Sequence, residues 1–424
     1  MLLLVTSALL MLAQSPPERD VVPATRSVQA PPAVETGADR LLGEYAALVR
    51  GKSIALVANH SARLADGTHL ADALFRFKDT KLTVLFGMNY DIRSNDYSAP
   101  PDSAVSIDKT TGLTKYDLYG DTHKPTPEML KGVEVIVFDI QEVGARFYEH
   151  INILAFVMEA AAEQGIRVVV LDRPNPITGD RQDGFVTDAT AQYRFGSYAP
   201  VPVVHGMTMG ELARFYVGEQ LIRGSRVVSL DVVPMRGWKR AMWYDETGLV
   251  WRKPSPNLLT LNSLLAYVGT CLFEAVNVSE GRGTDNPFEV IGAAWLDNTR
   301  AIALLRGVGL KGVTFEPEQF TPVQKPYHGK PPELAGEAVK GIRMRVTDRN
   351  AFEPYKAGVA LLWAVNRLHA DKLVWNDAVL DRLVATPRLK NMLVAGKSPN
   401  EIFASWSGEL AAFRTRSAPY LMYQ

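Results

Sequence analysis

Four short runs of branched apolar residues recur through the first 172 residues, and polar side chains end or follow each of them. They lie at 53–59, 82–87, 133–139 and 167–172. A strand that faces solvent on one side alternates apolar and polar residues, whereas these runs are apolar at successive positions, as strands buried on both faces require. Between them, residues 69–77 and 147–164 carry apolar residues at helical spacing, and Gly165 closes the second stretch as a C-cap. Strand, helix and strand in this order predict an α/β fold with a doubly wound parallel sheet covered on both faces.

The pattern changes after an irregular stretch at 234–260 that contains Trp238, Trp243 and Trp251. Beyond it, strand signals near 313–315 and 342–346 are weaker, and the latter alternates as a half-exposed, antiparallel strand would. A further apolar stretch lies at 264–273, and helical segments fill 358–369 and the tail. We therefore expect a domain over 39–260 and a smaller α/β (α+β) C-terminal domain over 261–424. The apolar run at 1–13 is too short to span a bilayer and has the length of a signal-peptide core, although no basic residue precedes it. The expectation is a signal peptide over 1–15, a Pro-rich linker over 16–38, and export to the periplasm or exterior without stable membrane insertion of the mature protein. Cys271 is the single cysteine, so no intrachain disulfide can form; its apolar neighbours predict a buried, inert thiol.

Polar residues gather at the strand ends: Asn59 and His60, Asn89 to Asp91, Asp139 with Gln141 and Glu142, and Asp172 with Asn175. One such residue is usually a turn or cap, but four tips alike point to one ligand crevice at the carboxyl end of the sheet. Lysine plus arginine and aspartate plus glutamate both number 46, so no charge excess favours nucleic acid or an anionic membrane. No Gly-rich dinucleotide loop, Walker loop, G-x-S-x-G elbow or H-E-x-x-H helix is present, and no cofactor or metal is expected. Ser106 and Lys109 fit S-x-x-K by chance, in a polar stretch. His60 and His205 are candidates to meet in space. Glu280 and Arg282, set among glycines 281 and 283, read either as a loop aimed at the site or as a structural clasp.

Ordered segments then match a known family. They are Val57-Ala-Asn-His60, Leu118-Tyr-Gly-Asp-Thr-His-Lys-Pro-Thr-Pro127, Val137-Phe-Asp-Ile-Gln-Glu-Val-Gly-Ala-Arg-Phe-Tyr148, Leu171-Asp-Arg-Pro-Asn-Pro176, His205-Gly-Met-Thr-Met-Gly-Glu-Leu212, Ser255-Pro-Asn257 and the turn at 279–284. From about residue 40 onward the chain resembles the domain-of-unknown-function 1343 family, linked to exo-β-N-acetylmuramidases of glycoside hydrolase family 171. The resemblance implies a Rossmann-like N-terminal domain, a smaller C-terminal domain, and release of terminal N-acetylmuramic acid from the non-reducing end of peptidoglycan fragments. With that ligand, the candidates for amino-sugar contact are Asn59, His60, Asp139, Arg146, Tyr148, Asp172, Asn175, His205, Asn257 and Arg282.

One departure matters. The family typically has a proposed catalytic glutamate in the loop after the second strand, where this chain has Asn89. An amide exchanges no proton at neutral pH, and glycoside hydrolysis usually uses two carboxyl groups. Three readings follow. Asp91 or Glu149 takes over, with Glu142 or Glu280 as partner; or the site binds amino sugars without cutting them; or the reaction or substrate has changed. The first is preferred.

Overall fold

The structure is a computed structural model that describes residues 34–88, 92–94, 104–120, 122–224, 229–325 and 331–424. Its strands are β1 (Ser53–Ala58), β2 (Lys81–Gly87), β3 (Val105–Ile107), β4 (Thr114–Asp117), β5 (Val135–Asp139), β6 (Arg167–Leu171), β7 (Asp183–Val186), β8 (Pro202–Val204), β9 (Leu230–Val233), β10 (Val290–Ala293), β11 (Val313–Phe320) and β12 (Val339–Val346). Seven of them form one sheet in the order β3-β4-β2-β1-β5-β6-β9, all parallel except the antiparallel edge strand β3.

The apolar runs are buried on both faces, and alternate residues serve opposite cores. Val57, Phe86, Ile136, Phe138, Val168 and Val170 pack beneath the helices His150–Gln164 and Met209–Gly218. Ile54, Leu56, Leu85, Val137, Val169 and Leu171 pack on the other side, with the helices Gly37–Leu41 and Leu70–Arg76. This is the doubly wound arrangement that the run pattern predicts. The chain leaves β1 toward β2 and later returns to place β5 on the other side of β1, so the order reverses between these two strands. Ala58 and Asp139 are register partners there, which brings the loops after both strands to one point.

The remainder is a smaller region built on the antiparallel sheet β10-β12-β11 and the helices Leu261–Thr270, Asn298–Arg306 and Pro354–His369. β12 alternates between buried and more exposed positions, as its sequence suggests. A second hairpin, β7–β8, contributes Phe185, Val203 and Val204 to the core of this region. That hairpin, β3, β4 and β9 leave little sequence signal: they are three or four residues long, and β3, β4 and β9 lie at or beside sheet edges where polar residues are tolerated. Ser106 sits in β3, so the S-x-x-K match has no helix beneath it.

The tryptophans of the irregular stretch are packing elements. Trp238 is buried against Tyr423, with ring centroids 5.0 Å apart, and the Trp243 ring lies between the guanidinium groups of Arg181 and Arg349. Cys271 is buried, and burial holds its thiol well above the usual range.

Candidate active site

A narrow pocket opens at the reversal point of the large sheet, lined by Asn59, His60, Met88, Tyr119, Tyr148, Glu149, His150 and Pro254. β1 delivers Asn59 and His60, β2 delivers Met88, β4 leads to Tyr119, and the loop after β5 delivers Tyr148 and Glu149. Asn89, Tyr90 and Asp91, which follow Met88 in the chain, lie outside the described residues.

The lining is held by bonds to side-chain and main-chain oxygens. Asn59 Oδ1 accepts from the Ser61 amide and hydroxyl at 2.9 and 2.5 Å, while the Gln141 amide donates to the same hydroxyl at 3.0 Å. Ser61 thereby joins the loops after β1 and β5. His60 Nε2 donates to the Lys253 carbonyl at 2.9 Å, and Tyr148 Oη donates to the Pro254 carbonyl at 2.7 Å. These two bonds draw the irregular stretch over the pocket. His150 Nδ1 donates to the Gln141 carbonyl at 2.8 Å, and its ring meets the Tyr148 ring edge-on at 4.7 Å.

Burial sets the protonation states. It pushes the His60 and His150 imidazoles down to about 4, so both are neutral at pH 7. It also pushes the Glu149 carboxyl up to about 7, aided by the negative charge of Glu274 and opposed by its own backbone amide, Arg382 and Arg282. Glu149 retains an edge toward solvent and occupies the N-cap of the helix His150–Gln164, where its side chain makes no capping bond. A carboxyl poised near neutrality beside neutral imidazoles can pass a proton in either direction.

The other candidates sit deeper. Glu142 is fully buried and accepts from the Gly144 amide and from His205 Nε2, 3.1 Å away. The Met207 amide donates to His205 Nδ1 at 3.2 Å, so His205 meets Glu142 in the core. Asp139 is fully buried in a two-pronged pair with Arg173, Nε to Oδ1 at 2.5 Å and Nη2 to Oδ2 at 2.9 Å. Asp172 accepts from the Gly210 amide, Thr208 Oγ1 and Tyr423 Oη at 2.8, 2.8 and 2.5 Å. Burial still pushes its carboxyl up to about 7. Asn175 braces a turn, donating to the Met207 carbonyl and accepting from the Ile177 amide. Asn257 is buried, and its side-chain Nδ2 donates no hydrogen bond among the described residues.

Arg146 is fully buried and donates to the carbonyls of Gly196, Leu383 and Val384 at 2.9–3.0 Å. Arg282 bridges Glu280 at 2.8 Å and Glu274 at 2.6 Å over the Phe288 ring, which is the clasp geometry. Of the sequence candidates, Asn59, His60, Tyr148 and Glu149 share the pocket, whereas these buried residues hold the framework around it. Sequence reasoning passed over His150, although it adjoins Glu149 at a helix start. It also passed over Arg173, whose charge a buried Asp139 demands. Among the described residues, no group of three or more His, Cys, Asp or Glu is placed to hold a metal ion.

Fold and site together define a doubly wound α/β protein with a narrow, polar, acid-bearing pocket at the carboxyl end of its large sheet. The family models for the N-terminal and C-terminal parts of the exo-β-N-acetylmuramidase NamZ match residues 54–262 and 265–423. The chain therefore belongs to the NamZ family of glycoside hydrolases. It is 38% identical over 393 residues, 92% of either chain, to the peptidoglycan β-N-acetylmuramidase NamZ of Bacillus subtilis. Two DUF1343 family proteins of Bacteroides fragilis with solved structures share its fold. One has a TM-score of 0.83 at 28% identity and the other 0.74 at 29%, each spanning 92% of this chain and 99% of theirs.

Proposed function

We propose that this chain is an exported exo-acting glycoside hydrolase that releases terminal N-acetylmuramic acid from peptidoglycan fragments, with Glu149 as its proton donor. The observation that carries this reading is the Glu149 carboxyl in the pocket, raised to about 7. A glycosidic oxygen leaves only when it is protonated, and an acid that still holds its proton near neutral pH is what that step requires. Met88, the residue that precedes Asn89 in the chain, lines the same pocket as Glu149. The B. subtilis relative, which is named for this chemistry, matches across both parts of the chain and supports the substrate class. The apolar run at 1–13 supports export, and the N-terminal sequence of the mature protein tests it.

Incubation with the muramyl disaccharide and detection of free N-acetylmuramic acid tests the activity. Turnover lost in Glu149→Ala but kept in Asp91→Ala supports the assignment, and the reverse pattern moves the role to Asp91. Asn89 favours a second reading, an amino-sugar binder without turnover. Calorimetric binding with no product, together with new activity in Asn89→Glu, would establish that reading instead.

A further inference from the structure

An aromatic group extends from the rim of the pocket, and the pocket chemistry does not use it. Tyr119 lines the pocket and meets the Phe195 ring edge-on, with centroids 6.0 Å apart. The His123 ring also stacks on Phe195 at 3.9 Å, nearly parallel at 10°; Phe156 of the core stands 6.3 Å beyond His123. The stack therefore runs outward from the core, and Tyr119, His123 and Phe195 remain only half-buried.

The mount of Phe195 is rigid. It lies at the tip of a tight turn closed by the Ser197 amide on the Arg194 carbonyl at 3.0 Å, and by the Tyr193 amide on the Tyr198 carbonyl at 3.0 Å. From beneath, Arg146 Nη1 grips the Gly196 carbonyl at 3.0 Å, and Asn152 Oδ1 takes the Tyr198 amide at 2.8 Å. The same buried guanidinium also holds the Leu383 and Val384 carbonyls, so the turn is tied to a distant part of the chain through a fixed group. Gly196 has φ +92 and is packed beneath by Arg382, so the turn has little room to shift.

We propose that the ledge formed by Tyr119 and Phe195 is a second saccharide subsite, which holds the sugar on the leaving side of the bond whose terminal residue fills the pocket. A pyranose presents an apolar face of axial C–H groups, and a fixed aromatic ring covers that face at little entropic cost. The ledge begins at a residue of the pocket wall and continues away from it, as a chain of linked sugars must. This inference rests on the hydrolase reading for the identity of the ligand, but not for its test.

The test is calorimetric binding of two ligands to the full chain and to Phe195→Ala: a sulfur-linked, non-hydrolysable muramyl disaccharide, and the methyl glycoside of N-acetylmuramic acid, which has no second sugar. The native protein is expected to bind the disaccharide more tightly. The substitution should weaken disaccharide binding by about tenfold and leave the methyl glycoside unchanged. Phe195→Trp should restore the disaccharide affinity, which a merely structural role would not predict. Equal affinity of the native protein for both ligands, equal losses of both in Phe195→Ala, or binding of neither would overturn the subsite. If the binding pattern holds while the natural disaccharide is never cut, the subsite stands and the hydrolase reading falls.

Discussion

The Nδ1 atom of His150 donates to the carbonyl oxygen of Gln141 at 2.8 Å, so the proton of this neutral imidazole is committed to the main chain and Nε2 carries the lone pair. The ring adjoins Glu149 and shares its pocket. His150 is therefore an acceptor throughout the neutral range, and Glu149 is the pocket carboxyl whose protonation changes near pH 7.

From this, kcat/KM should fall as pH rises above about 7, because the protonated Glu149 carboxyl is the active form. Glu149→Gln should lower turnover by roughly 100- to 10,000-fold. Its stability should move the other way. The folded-state value lies above the ordinary 4.5, so the native protein holds an extra proton between these values, and stability is lost as pH climbs through that window. Melting curves of Glu149→Gln and the native protein should coincide near pH 4 and diverge up to about pH 7, with the variant more stable.

Removing Arg173 leaves the Asp139 carboxylate buried without its partner. Arg173→Ala should cost about 3–5 kcal/mol, read from the urea midpoint. The double variant Asp139→Asn with Arg173→Met should recover much of this, since no uncompensated charge remains.

Gly269 and Gly358 lie where the helices Leu261–Thr270 and Pro354–His369 cross, and their backbones touch. A Cβ at Gly358 would press on the Gly269 carbonyl, and one at Gly269 on the Pro354 carbonyl. Alanine at either position should destabilise by about 1–3 kcal/mol as the helices are forced apart, visible as a lower denaturation midpoint.

Cys271 should stay unmodified by a thiol-specific alkylating reagent in the native protein and react only after denaturation, because burial both shields the thiol and opposes its ionisation. Rapid labelling of the folded protein, followed by intact-mass measurement, would contradict this.

The chain itself determined the central strands, because consecutive apolar residues such as those of β5 and β6 have no stable place except between two helical layers. It also determined that polar residues stand at the strand tips, and through its ordered motifs the family. Adjacency was the limit of its reach. Asp139 and Asp172 end strands just as Asn59 does, yet Arg173 and the Thr208–Tyr423 pair enclose the two aspartates, while Asn59 opens on the pocket. Only the tertiary structure decides this, because whether a polar side chain meets ligand or framework depends on partners brought from distant parts of the chain. Arg173 is 34 residues from Asp139, and Tyr423 is 251 from Asp172. Burial by those partners also sets the protonation of Glu149, a property of its surroundings that no residue carries alone.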